Sequence, residues 1–402
     1  MQIGGTEAAA VERAQNAPMR DWTERWAGVN SGSRNLDGLG VVAGMLADEF
    51  SRLPGELSLV PADPVTVVDD SGRKAEVPHG ASLHLRVRPD APFQMLFTGH
   101  MDTVYGVDHP FQAVTAREDG VIGGPGVADM KGGLAVMLAA LVAVEASPAA
   151  ARVGYEVLIN ADEEVGSPGS SALLARAARG KAAALTYEPA LAPDGTLAGA
   201  RPGSGNLAIV VTGRSAHAGR NPEDGRNALV AAADLAVRLK AAASDALKIN
   251  PARIAGGGPN NVVPDHALLH VNLRPATPED EVQARAMLDA ILAEIAERHV
   301  VTLTLHGGFG RPPKPLTPDA LRLFELVREA GRDLGQEIGW RTSGGVCDGN
   351  NIAACGVPVV DTMGVRGGAI HSPDEYLILD SLPERAALSA LTILRLAQGA
   401  VT

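Results

Sequence analysis

The sequence predicts an α/β fold, in which a mixed, mostly parallel sheet carries helices on both faces and is interrupted by a smaller α+β domain. Strand and helix signals alternate over residues 82–188 and resume from residue 319. Between these regions, Pro189–Gly205 is rich in proline, glycine and alanine, which is typical of a linker or a long loop, and the order of elements then changes. A length of 402 residues fits two or three folding units.

The larger predicted domain contains short apolar strands and alanine- or leucine-rich helices. Ser82–Val87 alternates as a half-buried strand does, whereas Gly132–Val144 is rich in the helix formers Ala, Leu and Met. The predicted strands are Ser82–Val87, Phe93–Thr98, Gly154–Asn160, Ala182–Tyr187 and Pro358–Asp361. The predicted helices are Gly132–Val144, Ser170–Arg179, Asp319–Gly335 and Ser381–Gln398.

The inserted domain shows a strand-helix-strand-helix-strand order over about a hundred residues, the size of a compact α+β unit. Its predicted elements are Leu207–Thr212, Asp224–Ala243, Ala267–Leu273, Pro278–Arg298 and Val300–Leu305. The glycine- and proline-rich stretch Gly307–Pro318 closes the unit. We therefore assign residues 1–205 and 316–402 to the larger domain and residues 206–315 to the insert.

Composition excludes several classes of partner. The chain has 35 Lys and Arg against 47 Asp and Glu, a formal net charge of −12. Nucleic acids and anionic lipids need clustered cations, so neither is expected as a main partner. The first residues are polar, unlike a signal peptide, and no apolar run is long enough to cross a bilayer, so we expect a cytoplasmic protein. Cys347 and Cys355 are expected to be reduced and mostly buried thiols.

Five short segments concentrate His, Asp and Glu near the ends of predicted strands or in glycine-rich turns, where open α/β sheets place their sites. Their key residues are His100 with Asp102, Asp129 in Gly124–Gly133, the acidic run Asp162–Glu164, Glu188, and His371 in Gly367–Glu375. His100 and Asp102 suit a metal ligand and the carboxylate that orients it. Three adjacent acids at a strand end repel one another unless a cation neutralises them. The alternatives are a solvated acidic turn at Asp162–Glu164 and an N-cap role for Asp129.

Charge counting favours two metal ions over one. As ligands, His100 and His371 are neutral, and the three carboxylates of Asp129, Glu164 and Glu188 contribute −3. A bridging hydroxide makes −4, which two divalent cations balance. A single zinc ion would have too many ligands and excess negative charge. With Asp129 bridging, each ion has four nitrogen or oxygen donors, which suits zinc, or cobalt as a substitute.

These five segments, in this order, resemble the M20 family of metallopeptidases, and most of all its glutamate carboxypeptidase branch, beside acetylornithine deacetylase and succinyl-diaminopimelate desuccinylase. The resemblance extends from Val29–Ser33 to the last helix. It implies a zinc-exopeptidase-type catalytic domain with two Zn²⁺ ions per subunit. It also implies that the insert is a lid, through which the chain forms a homodimer.

The resemblance assigns roles residue by residue. His100, Asp129, Glu164, Glu188 and His371 match the metal ligands, with a cis peptide bond expected after Asp129. Two further assignments concern the reaction: Glu163 matches the general base, and Asp102 matches the carboxylate that orients His100.

Other matches concern the substrate. His217, in Arg214–Gly219, matches a histidine that reaches a neighbouring subunit's active site and polarises the scissile carbonyl oxygen. Asn261 and Arg274 match substrate-holding positions, with Arg274 on the substrate carboxylate, and Arg201 and Arg311 are further candidates for that carboxylate. Cys347 departs from the pattern, since many relatives have serine there, and this leaves the pocket's preference open.

The expected activity is hydrolysis of an amide bond in a small anionic N-acyl amino acid or peptide, such as a substrate with a C-terminal glutamate-like residue. Deacylation of acetyl- or succinyl-amino acids and an aminopeptidase activity remain as alternatives. A catalytically silent metal-binding relative is the non-enzyme alternative, although the intact Glu163 argues against it.

Overall fold

The first half of the chain supplies most of the main sheet and the helices that cover it. The structure, a computed structural model, describes residues 3–118 and 120–400. In chain order the elements before residue 204 are α1 (Gly5–Gln15), α2 (Met19–Ala27), α3 (Leu36–Phe50), β1 (Glu56–Val60), β2 (Thr66–Val68), β3 (Lys74–Glu76), β4 (Ser82–Val87), β5 (Phe93–His100), β6 (Thr115–Glu118), β7 (Val121–Gly123), α4 (Gly132–Glu145), β8 (Val153–Asn160), α5 (Ser171–Ala178), β9 (Ala183–Thr186) and β10 (Leu197–Ala198).

The middle of the chain forms a separate four-stranded antiparallel sheet with two helices on one face. Its elements are β11 (Ser204–Thr212), α6 (Ala228–Ala241), β12 (Leu247–Gly256), β13 (His266–Pro275), α7 (Pro278–His299) and β14 (Thr302–Arg311). The strand order is β12-β13-β11-β14. Alternate residues of β11, Leu207, Ile209 and Val211, pack with Leu235 of α6 and Leu288 of α7 in a hydrophobic cluster of their own.

The last part of the chain completes the larger unit. Its elements are α8 (Pro318–Asp333), β15 (Trp340–Arg341), α9 (Asp348–Ala354), β16 (Val359–Val360), β17 (Gly367–Gly368), β18 (Tyr376–Ile378) and α10 (Ser381–Ala397). The main sheet has the order β1-β4-β8-β5-β9-β16. The pairs β8–β5, β5–β9 and β9–β16 are parallel, while β1–β4 and β4–β8 are antiparallel. The predicted mixed, mostly parallel sheet is confirmed.

Both faces of the main sheet are covered, as its buried central strands require. In β5, Met95 and Phe97 pack in the cluster formed with α4 and α10, whereas Leu96 faces the opposite cluster, formed with α5 and α9. Contrary to the expectation that no run could cross a bilayer, the helical stretch Val127–Glu145 is long and apolar enough to do so by length and composition, but 94% of an 18-residue window within it is buried inside the fold. It is therefore used here as a core helix.

Three expectations about secondary-structure elements need correction. The sequence pattern predicts no helix or strand before Ser82, whereas the structure has three helices and three strands there. The middle unit has an additional strand, β12, so its order is strand-helix-strand-strand-helix-strand. Its apolar alternation is hard to detect because a register shift at Pro251 interrupts this edge strand.

Strand β14 also runs further than expected, to Arg311, through residues that were expected to form a closing loop. Gly307 allows this because it has a φ of +84° and a Cβ there would lie 2.2 Å from the Asn206 carbonyl oxygen. The extension matters because it carries Arg311 to the carboxyl edge of the main sheet. The domain boundaries at residues 205/206 and 315/316 stay a prediction.

Candidate metal centre

A single carboxylate, that of Asp129, lies between two histidines. Its Oδ1 is 3.0 Å from Nε2 of His100, and its Oδ2 is 3.3 Å from Nε2 of His371. The two imidazoles therefore face opposite oxygens of one buried side chain. This is the arrangement expected of a carboxylate that bridges two cations.

Each histidine also has a glutamate of its own. Nε2 of His371 lies 3.1 Å from Oε2 of Glu164, and Nε2 of His100 lies 3.8 Å from Oε2 of Glu188. Donor atoms of His100, Asp129 and Glu164 lie within 4.8 Å of one another, as do those of His100, Glu163 and Glu188. The structure thus brings the five expected ligands together in two halves that share Asp129.

The main sheet explains why residues so far apart in sequence meet. His100 ends β5, Glu163 and Glu164 follow β8, and Glu188 follows β9. These three strands are adjacent and parallel, so their carboxyl ends lie at one edge, and His100 pairs directly with Asn160. The convergence follows from strand order alone.

The remaining two ligands come from irregular loops at the same edge. Asp129 lies in the turn between β7 and α4, and the expected cis peptide bond joins it to Met130. His371 follows β17 and has a φ of +61°, a conformation that is uncommon outside glycine. Its side chain is half exposed, at 53%, so this half of the centre faces the cavity.

Asp102 organises the centre from beneath. Nδ1 of His100 lies 3.1 Å from the backbone carbonyl oxygen of Asp102 and 3.4 Å from its Oδ1, which accepts the backbone N–H of Glu163 at 3.1 Å. Oδ2 of Asp102 accepts the backbone N–H of Glu164 at 3.2 Å and the hydroxyl of Ser33 at 2.7 Å. The nearer partner of His100 is therefore the Asp102 carbonyl rather than the carboxylate, and the carboxylate fixes the turn that carries both glutamates. The orienting role of the Asp102 carboxylate stays a prediction.

The pKa values of the clustered side chains are strongly shifted when no cation is bound. Burial raises the pKa of Glu163 to about 8, against the opposing charge of Arg311, and raises that of Glu188 to about 8. Hydrogen bonds to Asp129 and Glu164 raise the pKa of His371 to about 11. In the metal-free site, protons therefore neutralise Glu163 and Glu188, and a charged His371 balances the ionised Asp129, whose pKa the two histidines lower. Divalent cations would displace these protons. Two imidazoles and three carboxylates, with no thiolate, are a donor set that fits zinc.

Glu163 has a cationic partner. Its Oε1 accepts from Nη2 of Arg311 at 2.6 Å, and Nη1 of Arg311 donates to Asp348 Oδ1 at 2.7 Å. Asp348 also accepts from Asn160 and Ser167. The sequence analysis missed Asp348, whose only signal was its place in the glycine-rich loop with Cys347.

A cavity of about 580 Å³ opens beside the cluster of expected ligands. One wall is acidic and carries these expected ligands, while another combines a cation, small residues and apolar side chains. The lining residues include Asp129, Glu163, Glu164, Glu188, Leu191, Pro193, Arg201, Ser343, Gly344, Gly345, Val346, Cys347, Ile370, His371 and Tyr376. Cys347 is a free, buried thiol in this wall, and burial raises its pKa, while Cys355 is free and only partly buried.

The three arginines expected at the substrate carboxylate differ in what they already bind. Arg201 lines the cavity, but its Nε and Nη2 donate to Asp361, at 2.8 and 3.1 Å. Arg311 is engaged with Glu163 and Asp348. Arg274 donates from Nε to Asn272 and from Nη1 to the carbonyl of Gly344 in the cavity wall. Within residues 3–118 and 120–400, its Nη2 has no acceptor, so Arg274 has the greatest remaining capacity to bind an anion.

His217 and Asn261 are brought together, but neither is among the described residues that line the cavity of their own chain. They lie on neighbouring exposed segments of the middle unit, where Ala218 N–H donates to the Asn261 carbonyl at 3.0 Å. Nδ1 of His217 accepts from the Gly219 N–H at 3.1 Å. This bond leaves Nε2 as the N–H donor of a neutral ring.

Comparison with known proteins agrees with this site. Residues 96–395 match the sequence profile of Peptidase family M20/M25/M40. Carboxypeptidase G2 from Pseudomonas sp. is 30% identical over 385 residues, which are 94% of this chain and 88% of the relative. Succinyl-diaminopimelate desuccinylase from Psychrobacter arcticus is 28% identical over 313 residues, which are 73% of this chain and 75% of the relative.

Solved structures show the same fold. Aminopeptidase PepT from Bacillus cereus superposes with a TM-score of 0.69 at 23% identity, covering 96% of this chain and 99% of that one. An M20 family metallo-carboxypeptidase from Sulfolobus solfataricus gives a TM-score of 0.69 at 16% identity, covering 94% and 98%. The profile match, the relatives and the convergent ligands together establish that the chain is a metallo-hydrolase belonging to Peptidase family M20/M25/M40.

Proposed function

We propose that this metallo-hydrolase holds two zinc ions and cleaves an amide bond in a small N-acyl amino acid or in a peptide with a C-terminal glutamate-like residue. The observation that carries the proposal is the position of Asp129, whose two oxygens face His100 and His371. Glu188 and Glu164 supply a further carboxylate to each half. Cobalt is the expected substitute metal.

The proposed chemistry divides between the metal ions and Glu163. Two divalent ions held here would make a water molecule more acidic and polarise the scissile carbonyl. Glu163 acts as the general base: its carboxylate takes the proton of the attacking water and delivers it to the leaving amine nitrogen. Its position supports this role, because Glu163 lines the cavity and one of its carboxylate oxygens lies within 4.8 Å of donor atoms of His100 and Glu188.

We propose that His217 acts from the partner subunit of a homodimer formed through the middle, lid-like unit. Its exposed position, outside the lining of the cavity in its own chain, supports a role in trans. A neutral ring with N–H at Nε2 can donate to the carbonyl oxygen as negative charge develops there. Asn261, on the adjacent segment, would hold the same part of the substrate.

Arg274 is our preferred partner for the substrate carboxylate, because its guanidinium reaches the cavity wall and keeps donor capacity. The corresponding proposals for Arg201 and Arg311 are weaker, since protein carboxylates already occupy them. The net charge of −12 gives no long-range attraction for an anionic substrate, so local cations must supply it.

A deacylase acting on acetyl- or succinyl-amino acids is the second candidate, and the desuccinylase relatives favour it. The carboxypeptidase reaction is preferred because the relative with that name aligns with 94% of the chain. An aminopeptidase and a catalytically silent metal-binding relative are less well supported.

The test is turnover of a substrate panel by the zinc-loaded protein. One series varies the acyl group on glutamate, and the other varies the amino acid behind a fixed acyl group. The proposal predicts that removing or amidating the free α-carboxylate abolishes turnover, whereas changing the acyl group alters it only moderately. Equal turnover of carboxylate and amide substrates would contradict it, and strict selection of acetyl or succinyl groups would favour the deacylase.

A further inference from the structure

We propose that Glu375 is a positioning residue that holds the bridging carboxylate Asp129 and the ligand His371 in one arrangement, and so sets the affinity of the centre for metal. This inference rests on the metal centre of the proposed function. It concerns a residue that lies outside the predicted ligand set.

Both carboxylate oxygens of Glu375 accept hydrogen bonds from the loop that carries Asp129. Oε1 accepts the backbone N–H groups of Ala128, at 3.0 Å, and of Asp129 itself, at 3.1 Å. Oε2 accepts the backbone N–H of Gly126 at 3.2 Å. The side chain is buried, with 1% of the residue exposed, so these bonds are made away from water. One side chain thus fixes the backbone on which the bridging carboxylate stands.

Glu375 belongs to the loop that supplies the other ligand. It lies four residues after His371, and its own N–H donates to the Ser372 carbonyl at 3.0 Å. The hydroxyl of Tyr105 lies 2.8 Å from that carbonyl and 3.1 Å from Oε2 of Glu375. Tyr105 therefore joins the His371 loop to the carboxylate from a third segment, which follows Asp102.

Glu375 links Asp129 and His371, the two proposed ligands whose relative position is not set by the main sheet. Oδ2 of Asp129 and Nε2 of His371 are 3.3 Å apart, although the loops that carry them have no strand of the main sheet beneath them. The other ligands follow β5, β8 and β9 and are placed by the sheet. Glu375 therefore fixes the relative position of the Asp129 and His371 loops, as the sheet fixes the positions of the other ligands.

The test compares zinc affinity, by competition with a chelator, in the unmodified protein, Glu375→Gln and Glu145→Gln. A glutamine keeps one acceptor oxygen and directs its NH₂ at backbone donors, so Glu375→Gln should weaken zinc binding about 10–100-fold, as outer partners of metal ligands do. Glu145 is the control, because it is a partly buried glutamate paired with Arg88 at the far end of α4. Its variant should bind zinc within twofold of the unmodified protein.

Thermal unfolding separates positioning from general stability. If Glu375 acts on the centre, its replacement reduces the rise in melting temperature that zinc produces. A purely structural loss instead lowers the melting temperatures of the zinc-free and zinc-bound protein equally. The inference would be overturned if Glu375→Gln lowered the two melting temperatures equally, or if its zinc affinity stayed within twofold of that of the unmodified protein.

Should Glu375→Gln not fold, Tyr105→Phe takes its place. It removes one donor at nearly constant volume and should weaken zinc binding in the same direction. Unchanged affinity would then overturn the inference. If the unmodified protein itself binds no zinc, the proposed function fails together with the inference. If the unmodified protein and the variants bind zinc equally well, the inference fails and the proposed function stands.

Discussion

Arg311 donates to Glu163 at 2.6 Å and so pairs the proposed base with a buried cation that comes from the last strand of the middle unit. Oε1 of Glu163 is therefore oriented before substrate arrives. This contact also joins the middle unit to the edge of the main sheet that carries the candidate metal centre.

Replacing Glu163 should separate catalysis from metal binding. Glu163→Gln keeps an acceptor for Arg311 but cannot take a proton, so we expect kcat to fall about 10²–10⁴-fold. Zinc content should stay unchanged, because the ligand atoms remain. Steady-state kinetics and elemental analysis of the same sample check both, with the exposed Glu76→Gln as the control. Wild-type turnover in Glu163→Gln would remove the assigned base.

Asp348 should act on the reaction through Arg311. Asp348 and Glu163 both accept hydrogen bonds from the Arg311 guanidinium. Asp348→Asn removes one of these two negative charges, so Arg311 interacts more strongly with Glu163 and makes the Glu163 carboxylate a weaker base. We expect kcat to fall about 10-fold, the lower end of the range for outer partners of a site, with KM changed much less. A rise in KM at constant kcat would show instead that Arg311 binds substrate, as the sequence analysis expected.

The buried group of Asp361, Arg201 and Lys314 should be important for stability. Asp361 Oδ2 lies 2.8 Å from Nε of Arg201 and 3.0 Å from Nζ of Lys314. Asp361→Asn leaves two buried cations without their counter-charge, a change that costs about 3–5 kcal/mol in comparable sites. Urea unfolding at pH 7 measures the loss. A change below about 1 kcal/mol would show that solvent reaches these groups.

The same group predicts a pH dependence. Burial favours the neutral acid, but the charges of Arg201 and Lys314 outweigh it and lower the pKa of Asp361 below its usual value. The folded-state pKa is depressed, so the stabilisation is present above the unfolded value of about 3.9 and is lost as pH falls through the folded value. The stability difference between the unmodified protein and Asp361→Asn should therefore be constant above about pH 5 and narrow only in acid. A difference that narrows near neutral pH would contradict this assignment.

A histidine that acts in trans can be tested by mixing subunits. His217→Ala should lose about 10²–10³-fold in kcat, as expected for an oxyanion donor. Mixed with inactive Glu163→Gln under conditions of subunit exchange, it should regain activity, since one site of each hybrid combines an intact Glu163 with an intact His217. Hybrids that form but stay inactive would contradict a histidine supplied in trans.

Sequence reasoning succeeded where strand order decides the geometry. His100, Glu164 and Glu188 follow apolar runs, and parallel strands bring the carboxyl ends of such runs to one edge. Asp129 and His371 could be included because glycine-rich turns flank them. The edge strand β12 was missed because Pro251 and the neighbouring charges hide its alternation.

The hydrogen-bond partners of the site could not be predicted in the same way. Asp348 and Glu375 are ordinary acids in sequence, and only the packing of several loops shows which donors they meet. Arg311 was expected at a substrate carboxylate, but β14 extends past Gly307 and delivers it to Glu163. Contacts between loops depend on local backbone conformations of this kind, which cannot be predicted from the pattern of apolar and polar residues.

Metal stoichiometry tests the central claim most directly. Protein purified without chelators and measured by elemental analysis should contain about two zinc or other divalent transition-metal ions per chain, and Asp129→Ala should lose both, because its carboxylate is shared. One ion per chain would contradict the bridging role of Asp129. No stoichiometric metal in the unmodified protein would contradict the proposed centre as a whole.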